Sequence, residues 1–304
     1  MRIQTRLLSA TAFAALVTII TAGGCSKGGM PGGSSLPGKP SSLDNVPSGM
    51  PSGEVDPNTC GNYAAVDAGR KLKAFLQATK DLEVTTTETV KVVKQSCVMM
   101  GQELGMSETD LAGETDAVCN KVTSTYQNNL KIYLKPKAKL VIKYKPAVCT
   151  IDAQLTAKAG AECEGSATAG TGGSSGGGQC KAAAAVKGSL EAKCTEPELT
   201  IEADAKMVVD KSKLEMTLKA LRNGLPRLLS IKARLEPIQA ATAEWVKSAE
   251  ELKAMGPKAM QSFGDQATCI SMQLGAVAKA ATHIQANVHV SVTVTASASA
   301  TAGG

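Results

Sequence analysis

Apolar positions recur through much of this chain at alternating spacings of four and three. Leu72, Leu76, Thr79, Glu83, Thr86, Val90, Val93, Cys97, Met100 and Leu104 form one stripe, apolar at both ends and polar in the middle. That spacing predicts a one-sided helix. Gly105 is the expected stop, and Ser107 with Asp110 resembles a capping box that restarts a helix running to about Tyr133. Further on, Asp210 or Ser212 is placed to cap a helix with Leu214, Leu218, Leu221, Leu225, Leu228 and Leu235 on one face. Pro226 should kink that helix and Pro237 should end or restart it. Trp245, Val246, Leu252 and Met255 continue the helical pattern to Pro257, and a last helix is expected over about Lys258 to Ala281.

Two other segments read as strands. From Ile284 to Ala300, apolar residues alternate strictly with polar ones, including His289, Ser291, Thr293 and Thr295. Period two predicts a strand. The central segment is described by its cysteines. Opposed residues of an antiparallel hairpin share one index sum. That sum is 343 both for Cys149 with Cys194 and for Cys163 with Cys180. Local pairing, Cys149 with Cys163 and Cys180 with Cys194, has the same mirror symmetry, so the flanking residues must discriminate. In the 343 register Lys139 meets Asp204, Lys143 meets Thr200 and Lys145 meets Glu198. On the other face Leu140 meets Ala203, Ile142 meets Ile201 and Tyr144 meets Leu199. Opposite charges and apolar pairs face each other, which favours the nested disulfides. Pro146 opposite Pro197 reads as a shared bend. An unbroken strand from Lys137 to Cys163 would extend about 80–90 Å.

Together these patterns predict an α+β chain: an antiparallel helical bundle with a long, disulfide-stapled, three-stranded antiparallel β-meander. The expected divisions are a signal peptide over 1–24, a lipid-anchored Gly/Pro/Ser tether over 25–59 and a helical hairpin over 60–135. A β-hairpin arm over 136–209, a helical segment over 210–282 packing with 60–135, and a C-terminal strand over 283–304 complete the chain. The other two disulfides are expected as Cys97–Cys119, which antiparallel helices either side of Gly105 would bring together, and Cys60–Cys269 by elimination.

The N-terminus changes the picture most. Arg2 and Arg6 precede an apolar run from Leu7 to Ile20, then Ala22, Gly23, Gly24 and Cys25. This is an export signal. The run Ala22 to Cys25 resembles a bacterial lipobox, which implies an outer-membrane lipoprotein with lipid on Cys25. The alternative is plain secretion, because Ala22 and Gly24 also satisfy the ordinary signal-peptidase rule. Cysteine parity favours lipidation: nine Cys less Cys25 leaves eight, suited to four disulfides. Ser26 to Thr59 holds six of the twelve Pro and few large apolar residues, so a flexible spacer of about 30–35 Å is expected. Net charge is +6, falling to +4 without Arg2 and Arg6. So small an excess gives nucleic-acid binding no support.

Candidate chemistry is sparse. Ser174 and Ser175 fit G-x-S-x-G, but inside a Gly/Ser run rather than at a strand-turn-helix elbow. His283 and His289 are the only histidines, and no Cys-x-x-Cys exists, so neither a metal site nor a cofactor is expected. Lys135, Lys137, Lys139, Lys143 and Lys145 share one side of a strand. They read either as a ladder neutralised by Glu196, Glu198, Glu202 and Asp204 or as a stripe for an acidic glycan or lipid headgroup.

These features point to a non-enzymatic, lipid-tethered protein of the cell envelope with a structural, adhesive or assembly role. Its membrane partner acts through Cys25, with an envelope protein or glycan as further partner and the oligomeric state left open. The order of elements, helices interrupted by a β-tongue, resembles the α-helical pore-forming toxins of the cytolysin A type, which implies membrane insertion as an alternative. An enzyme of unknown class is the remaining reading.

Overall fold

The computed structural model describes residues 53–135, 140–165, 178–203, 208–253, 261 and 263–303. The signal peptide, Cys25 and the tether as far as residue 52 lie outside the described residues. So do Lys137, Lys139, Asp204, Ser174 and Ser175.

Among the described residues the chain forms six α-helices and four short strands. Helix α1 spans Asp67–Glu103, α2 Thr115–Tyr133, α3 Ala153–Glu164, α4 Gly178–Leu190, α5 Lys211–Lys253 and α6 Ala267–Gly303. The strands are β1 (Leu140–Lys145), β2 (Cys149–Thr150), β3 (Lys193–Cys194) and β4 (Glu198–Ala203). They make two antiparallel two-stranded sheets, β1 with β4 and β2 with β3.

The expected register is the one observed. Leu140 pairs with Ala203, Ile142 with Ile201, Tyr144 with Leu199 and Lys145 with Glu198, and Cys149 faces Cys194. The ladder breaks between these sheets, where Pro146 and Pro197 withhold N–H donors.

The long β-arm is corrected. Beyond Cys149 and Cys194 the chain is a helical hairpin of α3 and α4, not a continued ribbon. Alanine is the reason. Ala153, Ala157, Ala159 and Ala161, then Ala182 to Ala185, are the strongest helix formers and poor strand residues. Asp152 caps α3 by accepting from the Gln154 and Leu155 amides, and Gly165 ends it at φ 72°. An antiparallel helix pair keeps the same index sum as an antiparallel strand pair, so Cys163 still reaches Cys180.

The C-terminal strand is corrected as well: residues from Ile284 onward continue α6, and the meander has no third strand. The alternation conceals a helical seam at Ile270, Gln273, Val277, Ala280, Ile284, Val288, Ser291, Thr295 and Ala298, all buried. Its spacings are three and four. Polar Gln273, Ser291 and Thr295 hide it, and Thr295 satisfies its buried hydroxyl by donating to the Ser291 carbonyl at 2.8 Å. Tertiary burial here overrides the strand preference of Val and Thr.

Helix α5 is unbroken through Pro226 and Pro237, so Pro237 ends nothing. Its 43 residues extend about 64 Å. It lies antiparallel to α1: Trp245 Nε1 donates to Thr79 Oγ1, while Lys219 pairs with Glu103 at the other end. Helix α6 runs in the same sense as α1, with His283 beside Glu83 and Asn287 beside Thr87.

Helices α1 and α2 do not form the expected antiparallel hairpin. A glycine-terminated cap closes α1, with the Gly105 and Met106 amides donating to the Gln102 and Gly101 carbonyls. The chain then doubles back, so that Lys94 Nζ meets the Gly113 carbonyl at 2.6 Å. Ser107 and Asp110 bond to each other in that loop, and the helix proper begins only at Thr115. Cys97 pairs with Cys119, and Gly101 lies against Val122, so contacts advance together along both helices.

Two cores fill the length of the body. The first joins Leu72, Phe75, Leu76, Trp245, Ile270 and Ile284 with Ala182 and Val186 of α4. The second joins Val93, Met100, Val118, Tyr126, Leu221 and Leu225 with Ile201 of β4. The tether ends earlier than expected. Val55 is buried in the first core and the Asp56 amide donates to Gln273 at 2.8 Å.

Candidate functional site

The arm was the sequence's most distinctive feature, and it does not project. One face of its ribbon alternates inward, with Leu140, Ile142, Tyr144, Leu199 and Ile201 against the second core. Arg222 of α5 donates to the Ile201 carbonyl at 3.0 Å, which ties the ribbon down. Burial, and secondarily the Glu236 carboxylate, push the Tyr144 phenol above its ordinary value. The helical hairpin continues along the body, burying Ala182, Ala184 and Val186 of α4. Hydrophobic burial over the arm's length outweighs whatever stiffness the disulfides would lend a free ribbon.

Four disulfides tie the body together. Cys60–Cys269 closes the first core beside Val55, and Cys163–Cys180 joins the far ends of α3 and α4. Cys149–Cys194 clasps the junction of ribbon and helical hairpin, and Cys97–Cys119 joins α1 to α2. All eight described cysteines are therefore paired, and none offers a free thiolate.

On the ribbon's outer face Lys145 meets Glu198 at 2.6 Å, both largely exposed. Such a pair contributes about 0–1 kcal/mol. Lys143 faces Thr200, and Val141 faces Glu202. The neutralised ladder is thus realised at the Lys145–Glu198 rung.

Both histidines lie on exposed positions of α6. His283 Nδ1 lies 3.6 Å from Glu83 Oε1 on an exposed face, and His289 is exposed further along α6. Among the described residues no group of three or more His, Cys, Asp or Glu is placed to hold a metal.

Sequence reasoning missed a groove of about 660 Å³ between α1 and the helical hairpin. Its floor is alanine and Val186. Its rim carries Arg70, Lys73 and Lys187 against Asp81, Glu162 and Glu191. Equal numbers of each sign cancel, so the rim selects no charge class of ligand. Ala74, Ala78, Ala159 and Ala183 were the available signal, since an alanine face lets helices approach and leaves little side chain to fill the space between them.

Near the point where the described chain begins, Asp56 accepts from the Asn58 amide and the Thr59 hydroxyl, which holds its carboxyl below the usual range. Tyr63 donates to the Pro57 carbonyl at 2.8 Å, and burial with the Asp56 charge pushes its phenol up to about 12. These bonds fix a turn. Comparison with protein-family models, curated proteins and solved structures found no match to this chain.

Proposed function

We propose that this chain is a non-enzymatic, lipid-tethered protein of the bacterial cell envelope, serving as a rigid structural, adhesive or assembly element. One observation carries the reading. The eight other cysteines are bonded to one another, so Cys25 has no partner in its own chain. A cysteine directly after an apolar leader and small residues fits acyl transfer to its thiol. The body supports a mechanical role through long helices and four disulfides. Labelling cells with an alkyne-tagged fatty acid tests the assignment. Label should appear on the wild-type chain and vanish in Cys25→Ser. Label on neither would refute lipidation and leave plain secretion.

A second reading is membrane insertion of the kind performed by helical bundles with a β-tongue. It is favoured by the ribbon lying between helical segments and by hydroxyl groups in the helical seams. No helix among the described residues is long and apolar enough to cross a membrane, so insertion would require refolding. Dye release from liposomes tests it.

A further inference from the structure

One end of the body combines exposed apolar side chains with clustered cations. Leu134 bridges to Val208, and the Val209 amide donates to the Tyr133 carbonyl at 2.8 Å, which brings the C-terminus of α2 to the N-terminus of α5. Ile132 and Val209 flank this bridge. Each is 63% exposed, the highest value among the large apolar side chains described.

Lys131 is next to Ile132 in the chain, Lys211 and Lys213 follow Val209 closely, and all three are exposed. The Lys213 ammonium stands 5.9 Å from the centre of the Tyr133 ring. Among the described residues Asp210 and Glu215 lie close to them in sequence, two carboxylates against the four cations Lys131, Lys211, Lys213 and Arg222. Asp210 accepts from the Lys213 amide at the start of α5, and Glu215 lies 3.6 Å from Arg222. The surface is therefore cationic around an apolar apex. It sits at the opposite end of α5 from Leu252, which belongs to the first core with Cys60.

We propose that this end docks on the surface of an anionic lipid bilayer. The lysines approach the headgroups while Ile132 and Val209 enter the headgroup–acyl boundary. Neither kind of contact suffices alone: a pair of apolar side chains gives weak partition, and cations give long-range attraction without depth. Their juxtaposition favours a lipid surface over a folded acidic protein, which would need a shaped cavity to receive the apolar apex. The inference adds a second membrane contact to the lipid-anchored reading but does not depend on acylation.

The test uses the mature chain carrying Cys25→Ser, so that no acyl group contributes. It is sedimented with vesicles of phosphatidylcholine alone or with about one third phosphatidylglycerol. Binding is expected only to the anionic vesicles and should weaken as salt rises. The triple change Lys131→Gln, Lys211→Gln, Lys213→Gln should lower partition about a hundredfold, at about fivefold per lysine. The double change Ile132→Ser, Val209→Ser should lower it at least tenfold. Both sets alter exposed side chains, and unchanged Trp245 emission verifies the fold.

Absence of binding to anionic vesicles at low salt overturns the proposal, whatever the labelling of Cys25 shows. Equal binding by the apolar variant also overturns it, because attraction would then be electrostatic alone. If the apolar variant instead converts a dimer to a monomer without affecting vesicles, the occupant is a second copy of the chain and the proposal fails.

Discussion

The bond between Trp245 and Thr79 offers a quantitative test of what holds α1 to α5. Both side chains are fully buried in the first core. Trp245 Nε1 donates to Thr79 Oγ1 at 2.8 Å, and that hydroxyl donates on to the Phe75 carbonyl at 2.9 Å. The Trp245 ring stacks on Phe75 with centroids 5.8 Å apart. Thr79→Val preserves shape and differs little in helix propensity, so the lost acceptor decides the outcome. An indole N–H left buried without a partner costs about 1–3 kcal/mol. The added methyl recovers up to about 0.8 kcal/mol. The net expectation is a loss of about 1–2 kcal/mol, or about 2–8 °C in Tm for a body of this size. The control is a double-mutant cycle with Trp245→Phe, followed by urea unfolding and circular dichroism. In the Phe background Thr79→Val strands no donor and should be neutral or stabilising, giving a coupling of about 1–2 kcal/mol. A coupling below about 0.3 kcal/mol, within the scatter of additivity, would show that the bond does not join the helices energetically.

Three further predictions concern other parts of the body. Gly69→Ala should destabilise by about 1–3 kcal/mol in thermal melts, because a Cβ there would overlap the Tyr63 carbonyl oxygen. Gly275→Ala, which meets nothing within 4 Å, should stabilise α6 by about 0.5–1 kcal/mol. Alkaline titration of stability should expose Tyr63. Its folded pKa is pushed up to about 12 from 10.0, so the folded state holds that proton more tightly. The contribution is complete below pH 10 and is lost as pH rises towards about 12. Tyr63→Phe should flatten the curve in that window, and an unchanged slope would contradict the assignment.

Legibility in the sequence depended on what kind of signal each element carried. The ribbon register was readable because charge, apolar pairs and two cysteine pairs all obeyed one index sum. The same arithmetic could not tell strands from helices, since both antiparallel pairs satisfy it. Alanine content should have decided: Ala182 to Ala185 has no business in a strand read as half-buried. For the C-terminus, alternation was a true pattern with the wrong cause. The buried seam passes through Ser291 and Thr295, which a hydrophobicity scale counts as surface. The sense of α2 was hidden because the Cys97–Cys119 bridge fits either direction, and the loop's return past Gly113 and the approach of Val122 to Gly101 distinguish them. The apex of Ile132 and Val209 was not legible at all, because those residues are 77 positions apart and meet through a single isolated bridge.

Helices α1, α5 and α6 each pass through both cores, and Val292 touches both. Spacing along α1 between Leu82 and Val93 therefore acts as a phase. Inserting one residue at exposed Glu88 would rotate everything beyond it by about 100°, turning Val93, Cys97 and Met100 away from their neighbours. Three or four residues would nearly restore the phase but add about 4.5–6 Å of rise, and seven would add about 10 Å. An insertion that recovers the rotation therefore still carries Val93 and Met100 along the axis, away from their partners on α5 and α6.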